Sequence, residues 1–451
     1  MLADPKALQY ILHMTGYHYP KSTDRAHFNE LVVGKGLVAF NTHQRQRKII
    51  SPSFNAPQLR SFLPLFHRTA SKLVQRWNDD VIPVDPSGQP LINMNVWLSR
   101  ATLDVIGEAG FDFQFGSLDD IKTPLAAQYD NLFVDSTLYP AWYDLIFKES
   151  WHFIPEPLLE YVRYVPTREY RRFRSFLDYI RNMSREMIKE SMINGDGKDI
   201  MSVLLRANES SDPKSKMADN EVIDQISTLL LAGHDTTANT LTWFFYEVAR
   251  HPDAQERIRQ EIAVVRARTN SEEYTTSDLD SMVYTQAALK ESMRLHPIFW
   301  MLARVATRDD VIPLAFPITT KSGEQITSIP IKKGTPIDIS TAAYNRLPEV
   351  WGEDSNEWNP ERFLDPNRVR QSNIGLFGNL LLASGSRACI GWRFSVLEMQ
   401  ILITTLLENF EFSLPPQNEK TKIYRKPSHV MMPMADGEKG AWMGLRVKPI
   451  N

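Results

Sequence analysis

Apolar residues recur at spacings of three and four through most of the first two-thirds of the chain, the period of a helix buried along one face. The pattern predicts helices over residues 4–13, 41–50, 58–77 and 93–107, with Pro52 closing the second. In Arg168–Asn194, Phe173, Phe176, Leu177 and Ile180 fall on one side and many arginines on the other, which reads as a helix with a solvated basic face. Residues 220–250 form one helical pattern of about 31 residues, roughly 46 Å at ~1.5 Å per residue, ended by His251-Pro252. A helix of that length crosses a whole domain. Helical patterns continue over Pro252–Arg268 and residues 278–295, and then give way to short β-prone runs such as 336–341, punctuated by Pro and Gly. A last apolar helical stretch covers Trp392–Asn409. Residues 195–199 and 208–219 are loops by composition, neither long enough for a linker between domains. The expected fold class is mainly α with small β-sheets, an α+β protein.

Composition narrows the function. The 51 basic and 54 acidic residues leave a formal charge of −3, so no whole-molecule field favours nucleic acid as a partner. The chain has one cysteine, which excludes an internal disulfide and any metal site built from several thiolates. Residues 1–19 hold no apolar run near the ~20 residues that span a bilayer, so no transmembrane segment is expected there.

That cysteine, Cys389, lies in Leu382-Ala383-Ser384-Gly385-Ser386-Arg387-Ala388-Cys389-Ile390-Gly391, directly ahead of the last helical stretch. Backbone N–H groups and the macrodipole at a helix start favour a thiolate, the form that ligates metal. Gly385 and Gly391 permit a tight turn and a close approach to a flat ring, and Arg387 is placed to pair with a carboxylate. Taken alone, a lone intracellular cysteine is more often an inert buried thiol. These ten residues resemble the haem-binding loop of the cytochrome P450 family, Phe-x-x-Gly-x-Arg-x-Cys-x-Gly, with Leu382 at the position the family usually gives to phenylalanine. The resemblance implies haem as cofactor, Cys389 as its thiolate ligand and metal-binding residue, Gly385 as part of the loop, and Arg387 as a partner of a haem propionate.

Other motifs follow the family in the expected order. Glu291 and Arg294, at i and i+3, could be no more than a solvent-exposed pair, but with Arg362 of Asn359-Pro360-Glu361-Arg362-Phe363 they resemble the family's buried salt-bridged triad. Ala232-Gly233-His234-Asp235-Thr236-Thr237 lies midway along the long helical pattern. A glycine there costs ~1 kcal/mol, and threonine hydroxyls bond back to carbonyls, so a local bulge is expected; Asp-Thr-Thr could equally cap a helix. The run resembles the family's Ala-Gly-x-Asp-Thr-Thr motif, which implies that Asp235 and Thr236 form an acid–alcohol proton relay on the oxygen side of the iron. His234 occupies a variable position and reads as a core residue. Arg304 and Arg47 match family positions that pair with the propionates, and His43 stands where many members have tryptophan, with a surface helix residue as the alternative.

The likeness runs nearly the full length, so one cytochrome P450 domain over residues 1–451 is expected. It would lack the membrane anchor and first strands that usually precede an Asp-Pro-Lys-Ala segment. The implied reaction inserts one atom of O2 into a small apolar substrate, with electrons from an NADPH-dependent flavoprotein reductase, at the cytosolic face of the endoplasmic reticulum. Ile298, Phe299, Trp300 and Met301 follow the Glu-x-x-Arg helix at substrate-lining positions, with Met431 and Met432 near a second one. The overall flavour is similar to fungal members that tailor secondary metabolites such as terpenoids. A haem protein without oxygenase activity, an inactive truncated copy and a peroxide-using enzyme of the same fold stand as alternatives.

Overall fold

The long helical pattern becomes one unbroken helix, Asp219–Arg250, of 32 residues in the computed structural model. Alanine precedes it and offers no capping side chain, while the Glu221 carboxylate reaches back to take the Ala218 N–H at 2.9 Å, half of a capping box. Pro252 lacks the N–H that would continue it, and starts the next helix, Pro252–Arg268. The structure describes residues 1–15, 17–38, 43–119, 124–129, 132–194, 199–208, 216–269, 273–369, 385–416 and 422–450. The position taken by Leu382 lies outside them.

The described residues group into two units, each assembled from two stretches of chain. The first takes Met1–Arg25 and Val283–Trp392. Helix Pro5–Gln9, capped by Asp4, runs on through Tyr10–Met14 as a wider turn. Strand Met301–Val305 pairs antiparallel with Pro336–Ser340, and Asp310–Thr319 with Gln325–Ile331. Ala7, Leu8, Ile11 and Leu12 bury against Ile337, Ile339, Tyr344 and Trp351, so the opening residues share a core with residues more than three hundred positions downstream. The second unit takes Ala26–Met282 and Arg393–Asn451. It holds the long helix, with helices Met94–Phe111 and Arg168–Asn194 against it, and a three-stranded antiparallel sheet in the order Leu91–Asn93, Gly444–Pro449, Phe410–Ser413.

Several sequence expectations change. Residues 58–77 divide at Phe62 into Ala56–Ser61 and Leu63–Arg76, and residues 278–295 divide at Met282 into Thr276–Ser281 and Val283–Leu295. In both places the residue at the break is itself buried, so the apolar period continues through the interruption. The helix expected over 93–107 extends to Phe111 and stops at Asp112 in the left-handed conformation. The bulge expected at Gly233 is absent: hydrogen bonds from Thr236 and Thr237 to the carbonyls of Ala232 and Gly233 form without opening the helix. Gly233 has a packing reason instead, since a Cβ there would meet Ile106 Cγ1 at 2.6 Å. No described helix is long and apolar enough to cross a membrane.

Candidate active site

Glu291 and Arg294 face the same way because one turn of helix Val283–Leu295 separates them, and both are fully buried. The carboxylate takes Arg294 Nε at 2.7 Å and Nη2 at 2.8 Å, a bidentate pair. The short helical turn Pro360–Phe363 brings Arg362 Nε to Glu291 Oε1 at 3.4 Å, while Asn359 N–H donates to the same oxygen at 2.8 Å. Arg294 spends its remaining donors on the carbonyls of Asn345, Ser355 and Glu357. Three charged groups in a dry interior are tolerated because every guanidinium edge meets an acceptor. The motifs did not disclose Asp354, which binds Arg362 Nη1 at 2.9 Å. Burial would raise its carboxyl, but hydrogen bonds from Arg362 and Asn359 and the charges of Arg362 and Arg368 hold it below the ordinary range.

The cysteine loop of the same unit begins with a tight turn, Gly385–Arg387. Gly385 is obligatory there: its φ is +69°, and a Cβ would stand 1.7 Å from the Leu12 carbonyl oxygen. Cys389 is half-buried, three residues ahead of helix Trp392–Asn409. Arg387 lies over the Tyr17 ring at 4.9 Å, and its Nε is buried without a hydrogen-bond partner. Arg304, on strand Met301–Val305, is buried and close enough to repel it. Among the described residues neither arginine has a carboxylate partner. Burial and the Arg387 charge lower Arg304 to about 10, and burial lowers Arg387 as well. A third cation, Lys21, joins them without any motif to announce it; burial, then the charges of Arg304, Arg387 and Arg25, bring it down to about 7.

Two guanidinium groups held together in this way, without a carboxylate, are unfavourable until an anion enters. A haem carries two propionates, and the orphaned Arg387 donor, the Arg304 guanidinium and the close-packed Gly385 turn suit that group beside a lone thiol. Ile298 is buried, and Phe299, Trp300 and Met301 are partly open, with Met301 paired to Ser340 in the sheet.

In the second unit, Asp235 and Thr236 sit midway along the long helix. Thr236 Oγ1 donates to Ala232 O at 2.8 Å, and Asp235 Oδ1 accepts from Asn239 Nδ2 at 2.9 Å. Burial raises the Asp235 carboxyl, against the opposing pull of His234 and the Asn239 hydrogen bond. His234 is a core residue: Nδ1 is 2.8 Å from Leu230 O, which can only accept, so that nitrogen carries the proton, and the ring packs edge-on to Tyr129. Burial lowers its pKa. His43 and Arg47 lie one turn apart on helix His43–Ile50; His43 is buried, so the alternative of a surface residue does not hold, and Arg47 is partly buried. Met431 and Met432 open a buried strand, Met431–Ala435.

Comparison with known proteins identifies the family. The family model described as Cytochrome P450 matches residues 1–438. Cytochrome P450 monooxygenase 205 of Postia placenta is 33% identical, over 99% of this chain and 83% of its own length. Ganoderic acid synthetase of Ganoderma lucidum is 33% identical, over 91% of this chain and 78% of its own. Cytochrome P450 monooxygenase claP of Ampulloclitocybe clavipes is 30% identical, over 100% and 84%. The family's cofactor is haem on a cysteine thiolate, and Cys389 is the one cysteine available. With a match that takes in both units and relatives aligned over nearly all of its length, the chain belongs to the cytochrome P450 family and is a haem-thiolate monooxygenase.

Proposed function

We propose that the enzyme inserts one oxygen atom of O2 into a small apolar secondary metabolite of terpenoid type, and that both units serve one catalytic domain. Its electrons come from NADPH through a separate flavoprotein reductase. Cys389 is the haem ligand in the Gly385 turn, and Arg387, Arg304, Arg47 and His43 hold the propionates. Haem supplies oxygen activation, which thiolate ligation promotes in P450 enzymes generally by pushing electron density onto the iron. The chain's own part is to deliver protons and orient substrate.

The observation that carries the oxygenase reading is the placing of Asp235 and Thr236 side by side midway along the long helix. Burial raises the carboxyl's proton affinity, against the opposing pull of His234 and Asn239, which suits it to carry a proton, and the adjacent hydroxyl can pass one on. Glu291, Arg294 and Arg362 hold the fold of the unit that carries the cysteine loop. Ile298, Phe299, Trp300 and Met301 line the substrate's path, and their largely apolar side chains favour a small apolar occupant.

The site of action is the cytosolic face of the endoplasmic reticulum membrane. One stretch of chain, residues 139–164, exposes Tyr139, Trp142, Ile146, Phe153, Tyr161 and Tyr164, with Phe153 80% and Trp142 72% open. Aromatic residues of this kind favour the lipid–water boundary.

The deciding experiment is a carbon monoxide difference spectrum of the reduced protein, followed by turnover of a terpenoid panel with NADPH and reductase or with peroxide alone. A thiolate-type band with product only in the reductase arm supports the proposal. Product with peroxide alone would move the enzyme to the peroxide-using class, and no band would remove the haem assignment. Flotation with phosphatidylcholine vesicles, lost in Trp142→Ser/Phe153→Ser, tests the membrane face.

A further inference from the structure

Asn239 follows Asp235 by four residues, so the two side chains share a face of the long helix. Its amide nitrogen donates twice, to the Asp235 main-chain carbonyl at 2.8 Å and to Asp235 Oδ1 at 2.9 Å. The Asn239 oxygen accepts from Asn95 Nδ2 at 3.0 Å. Both asparagines are buried, Asn239 completely. The orientation of the network follows from chemistry. A peptide carbonyl only accepts, so the end of Asn239 that faces it is nitrogen; the other end is oxygen, and whatever faces that must donate.

Asn95 is itself well supported. It belongs to helix Met94–Phe111, which also ties to the long helix where Thr102 Oγ1 donates to His234 O at 3.0 Å and where Ile106 lies against Gly233. The second carboxylate oxygen of Asp235 has no hydrogen bond among the described residues and is not sealed from solvent. The acid is gripped by one oxygen and open at the other. Left to itself, an aspartate on a helix samples more than one staggered rotamer.

We propose that Asn239, locked in orientation by Asn95, is a positioning residue that fixes the Asp235 carboxyl so that its free oxygen alone exchanges protons. This rests on the reading of Asp235 as the relay acid. A donor to the ionised carboxyl also favours ionisation, so Asn239 keeps the proton affinity lower than burial alone would set it. The other titratable groups whose charges reach Asp235 are His234 on its own helix and Tyr129 on helix Pro124–Tyr129.

The test uses the haem-loaded chain and the variants Asn239→Leu, Asn95→Leu, Asp235→Asn and Asn239→Leu/Asp235→Asn. The first readout is the titration midpoint of the Asp235 carboxyl in the resting protein, followed by the infrared C=O band that Asp235→Asn abolishes. The second is the share of consumed O2 that leaves as hydrogen peroxide, which takes two electrons and two protons, rather than as water, which takes four of each; NADPH with added flavoprotein reductase supplies the electrons and solvent the protons, and no substrate is needed. Asn239→Leu and Asn95→Leu should raise the carboxyl's proton affinity about tenfold, one pH unit. They should also increase the peroxide share, and adding Asn239→Leu to Asp235→Asn should change that share no further. An unmoved midpoint, or an independent further leak in the double variant, overturns the proposal. If Asn239→Leu fails to hold haem, Asn95→Leu decides alone. If the midpoint moves but Asp235→Asn leaks no more peroxide than the parent, the positioning stands and the relay role of Asp235 falls.

Discussion

Replacing Glu291 by glutamine keeps the side chain's shape and removes its charge, and the structure says which neighbour suffers. The carboxylate takes four donors: two from Arg294, the Asn359 N–H and Arg362 Nε. In Glu291→Gln one oxygen remains, and an amide N–H₂ is turned toward guanidinium donors. Arg362 still has the Asp354 carboxylate, so its charge stays compensated. Arg294 keeps three main-chain carbonyls but no anion, and it is completely buried. Breaking a buried ion pair in this way costs about 3–5 kcal/mol. Arg362→Met is expected to cost less, about 1.5–3 kcal/mol, because Glu291 retains its bidentate partner and the Asn359 N–H, and the released Asp354 reaches solvent. Glu291→Leu/Arg294→Met removes that buried ion pair and should recover part of the Glu291→Gln loss, though not all, since Asn359 N–H is left without its acceptor and the carbonyls of Asn345, Ser355 and Glu357 lose their Arg294 donors. The assay is urea unfolding of the haem-loaded proteins, followed in parallel by far-ultraviolet circular dichroism and by the carbon monoxide band, with slopes compared to check that one transition is being measured. A loss below ~1 kcal/mol for Glu291→Gln, or a larger loss for Arg362→Met, would refute the reasoning, which rests on the same cost for a buried unpaired charge.

Gly385→Ala adds a Cβ at a positive φ and against the Leu12 carbonyl, so haem content per protein, read from the carbon monoxide spectrum, should fall severalfold; full haem content would contradict the turn geometry. Lys21 titrates near 7 in the fold against ~10.4 in the unfolded chain, so the unfolded state binds more protons between those values and the stability of the haem-free protein should rise with pH across that window. That rise should vanish in Lys21→Met and flatten when haem restores a counter-charge, as urea midpoints measured from pH 7 upward would show. Gly233→Ala gains ~1 kcal/mol of helix propensity but collides with Ile106, so it should destabilise alone and be rescued by Ile106→Ala; additive effects in the thermal midpoints would argue against the contact.

Much of the framework was legible because its signals are local. Pro252 cannot continue a helix, which fixed the end of the long helix, and an unbroken apolar stripe fixed Arg168–Asn194. The Glu291, Arg294 and Arg362 set was readable because motif order supplied what spacing alone could not. What escaped notice depends on contacts across the sequence. The glycine at 233 looked like a helix fault until Ile106 from another helix stood against it. Lys21 resembles any surface lysine until Arg304 and Arg387 are near, and Asp354 has no marker of its role beside Arg362. Asn239 did have a cue, its four-residue spacing from Asp235, which gains meaning only with Asn95 behind it.

The division of the first unit between the opening residues and Val283–Trp392 has a consequence for how the protein is made. Leu8, Ile11 and Leu12 leave the ribosome more than three hundred residues before the surfaces that bury them, around Ile337, Ile339 and Trp351. At roughly 5–20 residues per second the delay is on the order of tens of seconds. During that interval an apolar helix waits exposed beside a growing chain, so the yield of active enzyme in a cell should depend on chaperones that shield nascent segments, and on translation speed between those two stretches.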